Sequence, residues 1–152
     1  MTTTQKQFLT PFVTRSHTGV YAAIRRNNQI LLIKKTRGPY TGLYDLPGGG
    51  PEAGETPEQT LAREIKEETD CTLVHFSNKR EMTIFFSDFT PASGEKGCLQ
   101  HTGILFDAEI SGTPSIQGDG LDSGGAIWMN VSSLSSENAT PFALIGAGKE
   151  GA

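Results

Sequence analysis

The chain has 152 residues, 36% of them apolar, which is enough for one domain with a sizeable core. Lys and Arg number 13 against 17 Asp and Glu, a formal net charge of −4 that argues against general binding to nucleic-acid duplexes or membrane surfaces. Two cysteines, Cys71 and Cys98, are too few for a disulfide framework, and a buried free thiol is expected at Cys71.

Residues 1–17 read as a partly ordered lead-in. The opening MTTTQKQFLTPF has no apolar stretch of the kind a signal peptide carries, so a cytoplasmic chain is expected. Gly19 to Arg25 and Gln29 to Lys34 read as two strands of a hairpin turned through Arg26-Asn27-Asn28, since Asn tolerates positive φ. The loop from Lys35 to Gly42 carries Lys35 and Arg37, and with Lys34 these are candidate phosphate contacts. Leu43 to Leu46 reads as a short strand, stopped by Pro47 and the glycines at 48–50, where backbone can approach an ion or phosphate closely.

A helix follows with a clear start. Thr56 is a good N-cap, Pro57 suits the first helical position, and Gln59 completes a capping box. Leu61, Ala62 and Ile65 mark its apolar stripe. At about 100° per residue, Glu64, Glu67 and Glu68 fall within roughly 100° of arc beside it. Carboxylates so crowded repel each other, and a divalent cation with hard oxygen preferences resolves the conflict.

Downstream, Thr72 to Phe76 and Glu81 to Phe89 read as separate strands. Cys98 to Ile110 reads as a long strand with a bulge near Gly103, and Ser111 to Gly125 as a glycine-rich loop. Ala126 to Asn130 is a last strand, and Thr140 or Pro141 starts a short helix before a frayed tail at 147–152. One α/β domain with a mixed sheet, spanning 1–152, is the expected architecture.

The stretch GGPEAGETPEQTLAREIKEETDC resembles the Nudix box, Gx5Ex7REUxEExGU with U apolar. Gly49, Glu55, Arg63, Glu64, Ile65, Glu67, Glu68 and Cys71 match it, while Asp70 stands where the pattern has its last glycine. LPGG at Leu46 to Gly49 and GETPEQ at Gly54 to Gln59 look like the bacterial MutT-type branch. The resemblance implies an α/β/α sandwich and hydrolysis of a nucleoside diphosphate linked to another group, with Mg²⁺ or Mn²⁺ as cofactor. It implies Glu64, Glu67 and Glu68 as metal ligands or base, the Gly48 carbonyl as a further ligand, and Arg63 as the holder of a carboxylate, Glu55.

A further acid is expected outside the box. Asp107, Glu109, Asp119 and Asp122 are the candidates, and Asp122, six residues before Trp128, has the spacing of the MutT-like loop glutamate. Tyr40, Tyr44, Phe85 and Phe89 are candidates to stack on a base, and Asn138 to read a purine edge. His17, His75 and His101 share no ligand spacing, and no chemistry is assigned to them. The coenzyme A motif is not found. Ser87, Asp88 and Phe89 occupy the region of the dinucleoside-polyphosphate tyrosine, and Pro91 comes too late for the ADP-ribose proline. A (deoxy)nucleoside triphosphate pyrophosphohydrolase therefore leads, with an ADP-ribose or nucleotide-sugar pyrophosphatase as alternative and a nucleotide-sensing module behind both. The expected partner is a small nucleotide, and the chain a monomer or homodimer.

Overall fold

The computed structural model describes residues 13–89, 96–116 and 123–149. Among the described residues, eight strands run β1 Arg15–Ala23, β2 Arg25–Arg26, β3 Gln29–Lys35, β4 Tyr44–Asp45, β5 Gly48–Gly49, β6 Thr72–Phe89, β7 Gly97–Ser111 and β8 Ser123–Asn130. Helix α1 spans Pro57–Thr69 and helix α2 spans Pro141–Gly146. Among the described residues, no helix is long and apolar enough to cross a membrane.

The strands form two four-stranded sheets, one of them the expected mixed sheet. One has the order β5-β1-β7-β6 and is mixed, with β1 parallel to β7 and the other pairs antiparallel. The other joins β2, β3, β4 and β8 antiparallel, with β3 pairing to all three others. Period-two alternation divides the core between two faces. Val20, Ala22, Leu31, Ile33 and Phe106 pack with Leu61 and Ile65 of α1. Tyr21, Ile30, Leu32 and Leu105 pack with Phe142, Ala143 and Leu144 of α2. Helices on both sides make this an α/β/α sandwich.

Several expectations are corrected. The hairpin turn at Asn27 (φ 55°) joins only β2 to β3, because β1 starts at Arg15, inside the expected lead-in, and pairs with β5 and β7. The segments 72–76 and 81–89 are one strand. Asn78 at φ 54° shifts the register between Ser77 and Arg80 without ending the pairing, so a local kink mimics a turn. No bulge lies at Gly103, which pairs regularly with Met82 and Gly19. The expected tail at 147–149 is packed: Ala147 is buried, and Lys149 Nζ donates to the Leu134 carbonyl at 2.7 Å.

Helix α1 begins and ends as its local sequence dictates. Thr56 Oγ1 accepts from the Gln59 N–H at 3.1 Å, and Gln59 Oε1 accepts from the Thr56 N–H at 2.9 Å. Asp70 closes the helix at φ 62°, with its N–H on the Lys66 carbonyl at 3.0 Å. A β-carbon is disfavoured in that left-handed position, so Asp70→Gly is expected to stabilise by up to about 1 kcal/mol. The exposed Lys66–Asp70 ion pair at 3.1 Å, lost in the variant, offsets only a part of this. A thermal melt reads the result. Destabilisation by more than about 1 kcal/mol would assign Asp70 a contact beyond the cap.

Candidate active site

The site forms where α1 lies across β5. Gly48 and Gly49 are a two-residue strand paired with Tyr21 and Val20 of β1, so the expected glycine turn is part of the sheet. Gly48 is fixed as glycine by the backbone opposite it, and Gly49 leaves room for a side chain of the helix. A β-carbon on Gly48 would strike the Val20 carbonyl, and one on Gly49 would sit 2.8 Å from the Glu64 carboxylate carbon. The missing side chain of Gly49 is the space that Glu64 occupies.

The three glutamates are not equivalent. Glu68 is buried on the inner stripe of α1, and its Oε1 accepts the Gly48 N–H at 2.7 Å. Glu64 is largely buried, with 14% of its side chain exposed, while Glu67 is 51% exposed. The helical arc placed them side by side; packing against β5 grades them from interior to solvent.

Arg63 ties this acidic face to the preceding loop. Its Nε and Nη2 grip Glu55 at 2.7 and 2.9 Å, and Nη2 also donates to the Gly50 carbonyl at 3.0 Å. Nη1 reaches Glu64 at 2.9 Å and Glu67 at 3.2 Å. Glu55 is the partner expected from sequence. It also accepts from the Glu52 N–H at 2.8 Å and Thr60 Oγ1 at 3.0 Å. These bonds, the Arg63 guanidinium first, hold the Glu55 carboxyl down to about 2.

Among the described residues, no three His, Cys, Asp or Glu side chains converge as a closed metal cage. The Arg63 guanidinium stands between Glu64 and Glu67 and balances part of their charge. The donor set nonetheless suits a hard divalent cation. Glu68 sits on the Gly48 N–H, Glu64 beside Gly49 and Glu67 on the outer arm of Arg63, so three carboxylates against one guanidinium leave the face strongly anionic.

The remaining predicted residues lie on other elements. Lys35 ends β3, and its charge acts on His17, His101 and the buried Asp45. Arg37 is exposed in the following loop. Lys34 Nζ lies 5.7 Å from the Tyr44 ring centroid. Tyr44 is tied through its backbone, donating to the Asn138 carbonyl at 2.8 Å and accepting from the Thr140 N–H at 2.9 Å. Phe85, 48% exposed, lines a cleft of about 560 Å³ with Tyr40, Leu43, Phe86, Pro141 and Leu144. Asn138 Oδ1 accepts from the Ser135 N–H and its Nδ2 donates to the Ser133 carbonyl, both at 2.9 Å, within an exposed turn. Asp107 pairs with Arg80 at 3.0 Å. Asp119 and Asp122 lie outside the described residues.

Sequence reasoning missed a buried polar group behind the site. His101 accepts and donates between Tyr21 Oη, 2.8 Å from Nε2, and Tyr40 Oη, 3.0 Å from Nδ1. Nearby Asp45, fully buried, is bonded by Thr140 Oγ1 at 2.6 Å and the Leu46 N–H at 2.8 Å, and burial raises its pKa. These residues lie far apart in sequence, and no spacing announces them.

Fold and site together define a class: an α/β/α sandwich whose acidic helix is laid against a glycine strand and clamped by one arginine. The chain belongs to the NUDIX domain family, whose model matches residues 15–145. It is 54% identical over 46 residues to an ADP-ribose pyrophosphatase of Methanocaldococcus jannaschii, covering 30% of this chain and 27% of that protein. It is 36% identical over 63 residues to the 8-oxo-dGTP diphosphatase of Escherichia coli, covering 41% and 49%. The matched stretches thus span no more than half the length of either curated relative. The crystal structure of a MutT NUDIX hydrolase from Burkholderia pseudomallei superimposes with a TM-score of 0.62 at 28% identity, over 89% of this chain and 98% of that one.

Proposed function

We propose that this chain is a metal-dependent pyrophosphohydrolase acting on a nucleoside diphosphate linked to another group, with nucleoside triphosphates as the leading substrates. The observation that carries the reading is the seating of Glu64 and Glu68 against Gly49 and Gly48, with Glu67 and Arg63 at the rim. Glu64, Glu67, Glu68 and the Gly48 carbonyl would hold Mg²⁺ or Mn²⁺. A cation held there would neutralise phosphate oxygens and lower the pKa of a water.

The chain's own residues do the rest. Glu68, fixed by the Gly48 N–H, presents its carboxylate in one orientation. Glu67, the most exposed of the three, and Glu64 are the candidates to take the proton from water. Arg63 aligns the loop with the helix and limits repulsion among these carboxylates. Lys35 and Arg37 would meet the phosphates. The apolar cleft beside Phe85 suits a base held by stacking, and Tyr44 is a second proposed stacking partner.

Asp122 is the proposed extra ligand or base. Asp122→Asn is expected to lower kcat at least about tenfold with little change in thermal stability. Full activity in that variant across pH and metal concentration, with a loss in Asp119→Asn or Glu109→Gln, would move the role to another acid.

The alternative substrates are ADP-ribose and nucleotide sugars. The Methanocaldococcus relative acts on ADP-ribose, but the likeness to it covers only 30% of this chain. Comparing kcat/KM for GTP, dGTP, ATP, ADP-ribose and a nucleotide sugar with Mg²⁺ or Mn²⁺ separates the classes. Preference for a triphosphate supports the leading assignment, and preference for ADP-ribose replaces it. Tight nucleotide binding without turnover would instead make the chain a sensor. We take the cytoplasm as its compartment and a small nucleotide, rather than a duplex or a membrane, as its partner.

A further inference from the structure

The buried polar group behind the site joins two parts of the fold that must stay in register. Tyr21 lies opposite Gly48 in the sheet, and its ring covers that residue: a β-carbon on Gly48 would come 2.7 Å from Tyr21 Cδ1. Tyr40 belongs to the loop between β3 and β4, which follows Lys35 and carries Arg37, and its ring lines the apolar cleft. His101, on β7, stands between the two phenols, bonded to one through each ring nitrogen.

The sheet is built to admit this group. Gly19 and Gly103 are register partners on β1 and β7. A β-carbon on Gly19 would strike the Tyr21 hydroxyl, and one on Gly103 would lie 2.8 Å from Phe142 Cζ. The paired glycines make a trough in which the Tyr21 and Phe142 rings lie, with centroids 5.5 Å apart. The His101 ring meets Phe142 edge-on at 4.8 Å, and Tyr40 meets Phe86 edge-on at 5.4 Å.

We propose that Tyr21, His101 and Tyr40 form a hydrogen-bonded strut that positions the β3–β4 loop, and with it the phosphate-contacting Arg37 and one wall of the base cleft, relative to the Gly48–Gly49 strand. These are positioning residues for substrate, and the inference rests on the pyrophosphohydrolase reading for what the loop binds. Burial first, then the charges of His17 and Lys35, holds His101 down to about 4, so the ring is neutral at working pH. A neutral imidazole has one N–H and one lone pair, so one phenol accepts while the other donates. Such a chain is directional, and an apolar replacement of the same shape cannot reproduce its orientation.

The test compares His101→Phe with the triple variant Tyr21→Phe, His101→Phe, Tyr40→Phe. The single change strands two buried hydroxyls. The triple removes every polar partner and should recover much of the lost stability. Two readouts are used: amide exchange, and kinetics on GTP and ADP-ribose with Mg²⁺.

In His101→Phe, the amides of Gly42 and Leu43 (now bonded to the Lys35 and Tyr40 carbonyls at 2.8 and 3.0 Å) should exchange at least about tenfold faster. Amides of Leu31 to Ile33 should be unchanged relative to the global stability. KM should rise at least about tenfold with kcat within about twofold. The triple variant should regain melting temperature but keep the fast loop exchange and the raised KM. Tyr40→Phe, which deletes one hydroxyl, gives the same exchange pattern should His101→Phe not fold.

Unchanged loop exchange in the single variants overturns the strut. So does a triple variant in which KM returns with stability, since packing alone would then explain the residues. A wild-type chain that hydrolyses no nucleoside triphosphate, ADP-ribose or nucleotide sugar overturns the pyrophosphohydrolase reading, and the exchange data still decide the strut.

Discussion

Replacing Glu67 or Glu68 with Gln is expected to lower kcat at least about a thousandfold while leaving the fold intact. Each change removes one unit of charge from the face that would hold the cation but keeps the side-chain volume. Metal-centred charge stabilisation supplies several kcal/mol of the barrier in this class of reaction, roughly the size of the expected loss. The two variants should differ in a second respect. Glu68 is buried and accepts the Gly48 N–H, so Glu68→Gln must still offer an amide oxygen there and should show a small drop in melting temperature. Glu67 is half exposed, and its contact is one arm of Arg63, so Glu67→Gln should melt close to the wild type. Near-wild-type turnover at saturating Mg²⁺ in both variants would remove the metal site from this helix.

Arg63→Ala should have the second largest effect, on activity and stability together. One guanidinium engages Glu55, Glu64, Glu67 and the Gly50 carbonyl, so its loss frees the loop and leaves the carboxylates facing each other. We expect kcat/KM to fall at least about a hundredfold and the melting temperature by several degrees. Arg63→Lys restores the charge but not the fork, and should recover only a small part of either.

The pH dependence carries a sign. Arg63 holds the folded Glu55 carboxyl at about 2 against an ordinary 4.5, so its contribution to stability is complete above pH 4.5 and fades as pH falls toward 2. Without Arg63 that fade is smaller, since only the Glu52 N–H and the Thr60 hydroxyl then favour the charged Glu55 carboxyl. The gap in stability between the two proteins should therefore be widest at neutral pH and close on acidification. A gap that widens in acid would contradict the pairing.

The box helix was legible because its signals are local. Thr56, Pro57 and Gln59 specify the start within four residues, and Asp70 accepts the left-handed closing position that glycine would otherwise take. The grading of the glutamates was not legible. An arc of helix places Glu64, Glu67 and Glu68 together, but only the contact with β5 decides that Glu68 faces inward. The continuity of β6 was hidden by Asn78, whose left-handed conformation inside a paired strand has the composition of a turn. The division into two sheets follows from β1 pairing with a strand about eighty residues away, the kind of non-local contact that no short window contains. His101 was set aside for want of ligand spacing, and its partners Tyr21 and Tyr40 come from other parts of the chain.

The central claim is that the carboxylates of α1 run a cation-dependent cleavage of a pyrophosphate bond. The most direct measurement is phosphate or pyrophosphate release from nucleoside triphosphates, ADP-ribose and nucleotide sugars, with Mg²⁺ or Mn²⁺ and with chelator, by the wild type and Glu67→Gln side by side. We predict turnover of at least one of these compounds by the wild type, abolished by chelator and absent in Glu67→Gln. Turnover that survives chelation, or that Glu67→Gln retains in full, would contradict the account.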